Sequence, residues 1–245
     1  FAVHAAMSSA KRFLLEPDED ERQHVLVFSI EEGPYSWLVL SSAWLAEVNS
    51  LMLRPGRCPA DKKKELLARM DEAQDGLSMY PIILGDGADT TEAIVTAIEV
   101  EAQRRNLGLV IVDYLQQLTQ GEQYEAMMSA ARDLQKVSER TNTPLLLMSQ
   151  MSYDKVSGKP LPYGGKGASF DCTLWLGLDR DKEEGTDVKQ DTGRIVCHAA
   201  RTIKEFAPIP IHIDFPGGGH FYSIDELHDV PSGRRLGNDK PEQRY

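Results

Sequence analysis

The chain has 245 residues, of which 41% are hydrophobic and 27% charged, with a formal net charge of −11. That length builds one large domain with a full core, and no apolar run approaches the ~18 residues of a membrane-spanning helix. The acidic balance argues against a surface coated with nucleic acid but leaves open a narrow channel gripping one strand, where only local charge matters.

Phe1-Ala-Val-His-Ala-Ala-Met7 opens the chain without the basic start and small-residue cleavage site of a secretory leader. With no initiator Met, the sequence reads as a fragment cropped at its front. Residues 24–30 form the first β-type apolar run and end at Glu31 and Glu32. Trp37, Leu38, Leu40, Trp44, Leu45 and Leu51 follow as an apolar helical stretch, expected in the core rather than in a partner groove. Asp61-Lys-Lys-Lys-Glu65 opens a helix carrying Leu66, Leu67 and Met70, so its lysines are expected on a solvated face rather than on DNA.

A short apolar run covers 80–84. Asp89-Thr-Thr-Glu92 then reads as a capping box, followed by Ile94, Ala97 and Ile98 at helical spacing and by Arg104 and Arg105 at the helix end. Residues 107–113 are the second strong apolar run, 125–140 a helix with Met127, Ala131, Leu134 and Val137 on one face, and 144–149 a further strand. Near-continuous apolar strands alternating with helices predict βαβ units and an α/β fold, a mostly parallel twisted sheet with helices on both faces. Residues 153–169 hold four glycines, two prolines and three lysines and read as a mobile loop. Late runs at 171–178, 193–200, 209–215 and 220–223 predict additional strands of the same sheet, some antiparallel. One domain over 1–228 and a polar tail over 229–245 complete the expected organisation. Cys58, Cys172 and Cys197 form neither a CxxC pair nor an even framework, which suits a reducing cytoplasm and gives no zinc site.

Three strand ends carry polar groups. Leu109-Val-Ile-Val-Asp113 places an aspartate where the end of a buried parallel strand meets the ligand crevice. Such a residue can hold Mg²⁺ or merely close an ordinary strand at a turn. Glu31 can act as a general base or stand as a solvated carboxylate. Gln150, closing Leu145-Leu-Leu-Met-Ser-Gln150, can sense a phosphate or be a neutral strand terminus.

Taken in order, these segments resemble one family. Val25-Leu-Val-Phe-Ser-Ile-Glu31 resembles the strand of DnaB-type replicative DNA helicases that ends in the catalytic glutamate. Ile111-Val-Asp-Tyr-Leu-Gln116 is similar to that family's Walker B segment, and Leu147-Met-Ser-Gln150 to its next motif. The resemblance runs from Phe1 to about Phe221, with Asp-Tyr-Leu-Gln its most specific piece.

It implies a RecA-like P-loop NTPase core that uses ATP and Mg²⁺, assembles as a homo-hexamer, translocates on single-stranded DNA and unwinds duplex. Primase and a helicase loader are further partners it implies. On this footing Asp113 holds Mg²⁺, Glu31 polarises the attacking water, and Gln150 couples the γ-phosphate to a DNA-binding loop at 153–169. Lys155, Lys159 and Lys166 are then the phosphate contacts on DNA. Within His198-Ala-Ala-Arg-Thr-Ile-Lys204, Arg201 takes the place of the arginine finger and Lys204 that of its companion, although the family's Lys-x-Arg-x-Gly order is not kept.

The main departure is that no GxxxxGK[ST] occurs. Gly164-Gly-Lys-Gly-Ala-Ser169 has the wrong spacing and does not sit between a strand and a helix. Phe1–Met7 resembles the helix that follows a P-loop in this family, so the motif is expected just upstream. Two other readings stay open: a RecA/RadA-like recombinase, which shares the fold, and a non-catalytic oligomeric DNA-binding module without a P-loop.

Overall fold

The computed structural model describes residues 1–118, 124–153, 160–162, 172–183, 189–201, 203–215 and 217–223. Its centre is a parallel sheet of four strands, β1 (His24–Ser29), β2 (Ile82–Leu84), β3 (Leu107–Asp113) and β4 (Leu145–Leu147), in the order β2-β1-β3-β4. β1 and β3 are central, pairing from Val25 opposite Leu109 to Ser29 opposite Asp113.

The pleat explains why these strands are apolar throughout. Alternate residues face opposite sides, and both sides are covered. Val25, Val27 and Ile111 pack beneath α1 (Ala2–Phe13) and α2 (Gly33–Leu45) with Ala6, Met7, Trp37 and Trp44. Leu26, Phe28, Val110 and Val112 pack on the other side against Ile94 and Ile98 of α4 (Thr91–Arg104) and Leu134 and Val137 of α6 (Tyr124–Thr141). Two further helices are α3 (Lys63–Leu77) and the short α5 (Leu115–Leu118).

Lys62, Lys63 and Lys64 lie in solvent where α3 begins. The apolar stretch after Glu31 divides: Trp37 and Trp44 are core, whereas Leu38 is 43% and Leu51 52% exposed. The cap of α4 is Thr90, not Asp89. Thr90 has the extended backbone of a capping residue, and its side chain accepts a hydrogen bond from the Ala93 N–H.

The late strands do not extend the first sheet. β7 (Leu174–Lys182), β8 (Lys189–Ala200), β9 (Ile209–Asp214) and β10 (His220–Ser223) form a separate antiparallel sheet, ordered β10-β9-β8-β7. β4 and β7 are the facing edges, and between them lies a mostly apolar cleft of about 830 Å³ lined by both strands. The expected loop at 153–169 is partly strand: β5 (Met151–Tyr153) pairs with β6 (Pro160–Pro162) as a two-stranded ladder. The prolines are tolerated because a two-stranded ladder has only edge strands.

The second sheet is fastened to the first at the turn before β10. Gly218 sits there at φ 94°, and a Cβ on it would lie 2.6 Å from the Ala43 carbonyl oxygen of α2, so both conformation and space demand glycine. Among the described residues no helix is long and apolar enough to cross a membrane.

Candidate active site

The carboxyl ends of parallel strands converge on one edge of a sheet, and polar residues placed there share a crevice. β1 delivers Glu31 and Glu32, β3 delivers Asp113, and β4 delivers Ser149 and Gln150. The Ile30 N–H donates to the Asp113 carbonyl at 2.9 Å, holding the turn after β1 against the end of β3.

α1 runs against the strand direction. Phe13, at its carboxyl end, packs over Gly108 at the start of β3, while Phe1, at its amino end, lies near Asp113. The amino end of α1 therefore lies toward the same edge as the three strand ends.

The Asp113 carboxyl is half-buried, and burial pushes its pKa above the usual carboxylate range. The charges of Glu31 and Glu32 add to that rise. Asp113 thus lies within electrostatic reach of two further carboxylates at this edge. The Asp113–Tyr114 peptide bond is cis.

Directly after Asp113, the Leu115 N–H donates to the Met148 carbonyl at 3.0 Å and the Met148 N–H to the Val112 carbonyl at 2.9 Å. Gln116 continues this seam with its side chain. Its Nε2 donates to Ser149 Oγ at 2.8 Å, and its Oε1 accepts from the Gln150 N–H at 3.3 Å. The sequence motif contains Gln116 but assigns it no role. The available signal is an amide on a segment otherwise flanked by Leu115 and Leu118, next to an aspartate of interest.

Of the residues singled out by sequence, Glu31, Asp113 and Gln150 come together at this edge. Neither Arg201 nor Lys204 is among the charges that act on Asp113. Both are exposed and lie beyond the end of β8, with the Arg201 N–H bonded to the Thr173 carbonyl at 2.9 Å. Lys155, Lys159 and Lys166, and the tail at 229–245, lie outside the described residues.

A second polar cluster ties the sheets together behind this edge. His4 of α1 accepts at Nδ1 from Trp44 Nε1–H (3.2 Å) and from the Phe221 N–H (3.3 Å). The His220 ring stacks on Trp44 at 4.3 Å, and its Nε2 lies 2.9 Å from the Trp44 carbonyl.

Residues 1–159 match the family described as DnaB-like helicase C terminal domain. The replicative DNA helicase DnaB of Mycobacterium leprae (strain TN) is 26% identical over 137 residues, 52% of this chain and 21% of that protein, so the chain spans about a fifth of this curated relative. A DnaB-like replicative helicase, solved in a study of its interactions with primase, superposes with a TM-score of 0.66 at 16% identity, covering 89% of this chain and 54% of that one. A second solved structure, of an isolated ATPase domain, gives a TM-score of 0.69 at 16% identity, covering 91% and 81%. The family match takes in Glu31, Asp113 and Gln150, and the structural likeness extends over both sheets: the chain belongs to the DnaB-like helicase C-terminal domain family and has its RecA-like ATPase fold.

Proposed function

We propose that the chain is the motor of a replicative DNA helicase, hydrolysing ATP to move along single-stranded DNA as a homo-hexameric ring and to separate duplex. The observation that carries this reading is the convergence of Glu31, Asp113 and Gln150 with the amino end of α1 on one sheet edge.

The residues fit Mg²⁺. That ion is held by one or two carboxylates together with substrate phosphates and water rather than by a protein cage, and no group of three His, Cys, Asp or Glu side chains able to hold a metal occurs among the described residues. Asp113 would hold it, and when bound it supplies positive charge to the phosphate oxygens. Glu31 orients the attacking water and takes up its proton. The first-turn N–H groups of α1 face the phosphates. Gln150 reports the state of the γ-phosphate to the segment after β4, where Lys155, Lys159 and Lys166 would meet the DNA backbone. Arg201, with Lys204, would act on a neighbouring subunit's nucleotide, since neither is among the charges acting on Asp113 of its own chain. The reading carries with it a cytoplasmic location and, as partners, primase and a helicase loader.

The alternative is an oligomeric DNA-binding module that does not hydrolyse ATP. ATP hydrolysis by the natural polypeptide carrying this chain, measured with and without single-stranded DNA, separates the two. Turnover stimulated by DNA and lost in Glu31→Gln supports the motor. A hexamer that binds DNA without turnover supports the module.

A further inference from the structure

Among the described residues, backbone hydrogen bonds join β3 and its continuation to β4 as far as the Leu115–Met148 pair. One residue further on, the chain reaches Ser149 and Gln150, which are exposed. What holds them is the Gln116 side chain, itself 8% exposed. It uses both ends of its amide, donating to Ser149 Oγ at 2.8 Å and accepting from the Gln150 N–H at 3.3 Å. Ser149 Oγ in turn lies 3.2 Å from the Gln150 carbonyl, to which it can donate. A primary amide suits this task because it offers a donor and an acceptor in one plane without charge. A carboxylate has no donor, and an ammonium no acceptor.

We infer that Gln116 is a positioning residue that locks the end of β4 to the turn after Asp113, and thereby couples the nucleotide site to the segment beyond Gln150. The inference rests on the motor reading above. Gln116 lies three positions after Asp113, and its bonds fix the backbone from which Gln150 projects and from which β5 departs one residue later. A shift of Asp113 on nucleotide binding or release would therefore be passed through the Gln116 amide to Gln150. Without that amide, Ser149 and Gln150 move independently of Asp113.

The test compares the natural polypeptide with its Gln116→Leu and Ser149→Ala variants. The readout is the affinity for a fluorescent oligothymidylate with and without a non-hydrolysable ATP analogue, alongside the ratio of DNA-stimulated to basal ATP turnover. Coupling between sites typically amounts to roughly 5–150-fold. Gln116→Leu, which keeps the bulk and removes both bonds, is expected to bring the nucleotide-dependent change in DNA affinity to within about twofold of none. Ser149→Ala removes one of the two Gln116 bonds, together with the Ser149 Oγ contact to the Gln150 carbonyl, and is expected to retain part of the change. A general loss of packing would instead lower both DNA affinities together and leave their ratio intact. If both variants keep the parent's ratio, or if Gln116→Leu fails to fold while Ser149→Ala keeps that ratio, the positioning role is overturned. A parent that shows neither turnover nor any effect of nucleotide on DNA affinity overturns the motor reading itself, a result distinct from an unchanged variant.

Discussion

Acid should loosen the joint between the two sheets, and His4 sets where. Its Nδ1 accepts from both Trp44 Nε1–H and the Phe221 N–H, so the neutral ring carries its proton on Nε2, 3.4 Å from Ser8 Oγ. Protonating Nδ1 would break both bonds. Burial first, and then the neighbouring His220, lower the His4 pKa from 6.5 to about 4. A group whose folded pKa lies below its unfolded one favours folding fully above the unfolded value, and that contribution falls as pH drops toward the folded value. Above pH 6.5 the ring is neutral in both states. Between 6.5 and about 4 the unfolded chain takes up the proton first.

Lowering the pH from 7 to 5 should therefore cost roughly 1–2 kcal/mol, the unscreened linkage value reduced for the ring's partial exposure. The assay is urea unfolding followed by Trp fluorescence at pH 7.5, 6 and 5, for the parent and for His4→Gln. Glutamine can accept at the same place and does not titrate. The parent should lose its advantage over His4→Gln as the pH falls. A stability difference that stays constant from pH 7.5 to 5 would refute the assignment of this acid sensitivity to His4.

Thr90→Ala removes the side chain that caps α4 and should cost about 0.5–2 kcal/mol, while Asp89→Ala should cost less; thermal melts of the two variants check the order. Leu134 is fully buried between α6 and the sheet, so Leu134→Ala should lower stability by about 2–5 kcal/mol in urea unfolding. Asp113→Asn removes a half-buried carboxylate whose ionisation is opposed by burial and by the charges of Glu31 and Glu32. Without nucleotide it should raise the urea midpoint at pH 8 while abolishing Mg²⁺-dependent ATP turnover, a gain in stability at the expense of function. A lowered midpoint would show that the carboxylate is better compensated than its surroundings imply.

The fold was legible where a local pattern records it. The runs ending at Asp113 and Ser223 became strands with the expected limits, and the apolar run from His24 reads as a strand buried on both faces because Val25 and Val27 fill one core while Leu26 and Phe28 fill the other. What stayed hidden depends on distant partners. Four late strands looked like continuations of one sheet because strand patterns do not say which strand lies alongside; β7 pairs with β8 and leaves a cleft toward β4. Asp89 and Thr90 are both good caps in sequence, and the backbone conformation at Thr90 decides between them. The strand ends at Glu31, Asp113 and Gln150 could be read because parallel strands bring their carboxyl ends to one edge whatever the loops do. Gln116 could not be read in the same way, since its partners lie 33 and 34 residues away. Nor could His4, whose ring meets the backbone of Phe221 across 217 residues.

Charge at the sheet edge bears on how the site is completed. On the motor reading, Asp113, Glu31 and Glu32 bring negative charge to a place that takes a triphosphate, which carries more of the same. Mg²⁺ offsets part of it, and a further cation must balance the charge that develops as the γ-phosphoryl group moves. Arg201 is exposed beyond the end of β8 and is not among the charges that act on Asp113, so on the motor reading it serves the adjoining subunit. Mixing two inactive variants tests this directly. In rings formed from equal amounts of Glu31→Gln and Arg201→Ala chains, roughly one interface in four joins an intact Glu31 to a neighbour's intact Arg201. DNA-stimulated turnover should reappear in that proportion when subunits are exchanged before the assay, whereas each variant alone stays inactive. If Arg201 acts within its own chain, no mixture contains a complete site and turnover remains absent. That result would remove Arg201 from the trans role and leave the charge at the edge to be balanced from within the subunit.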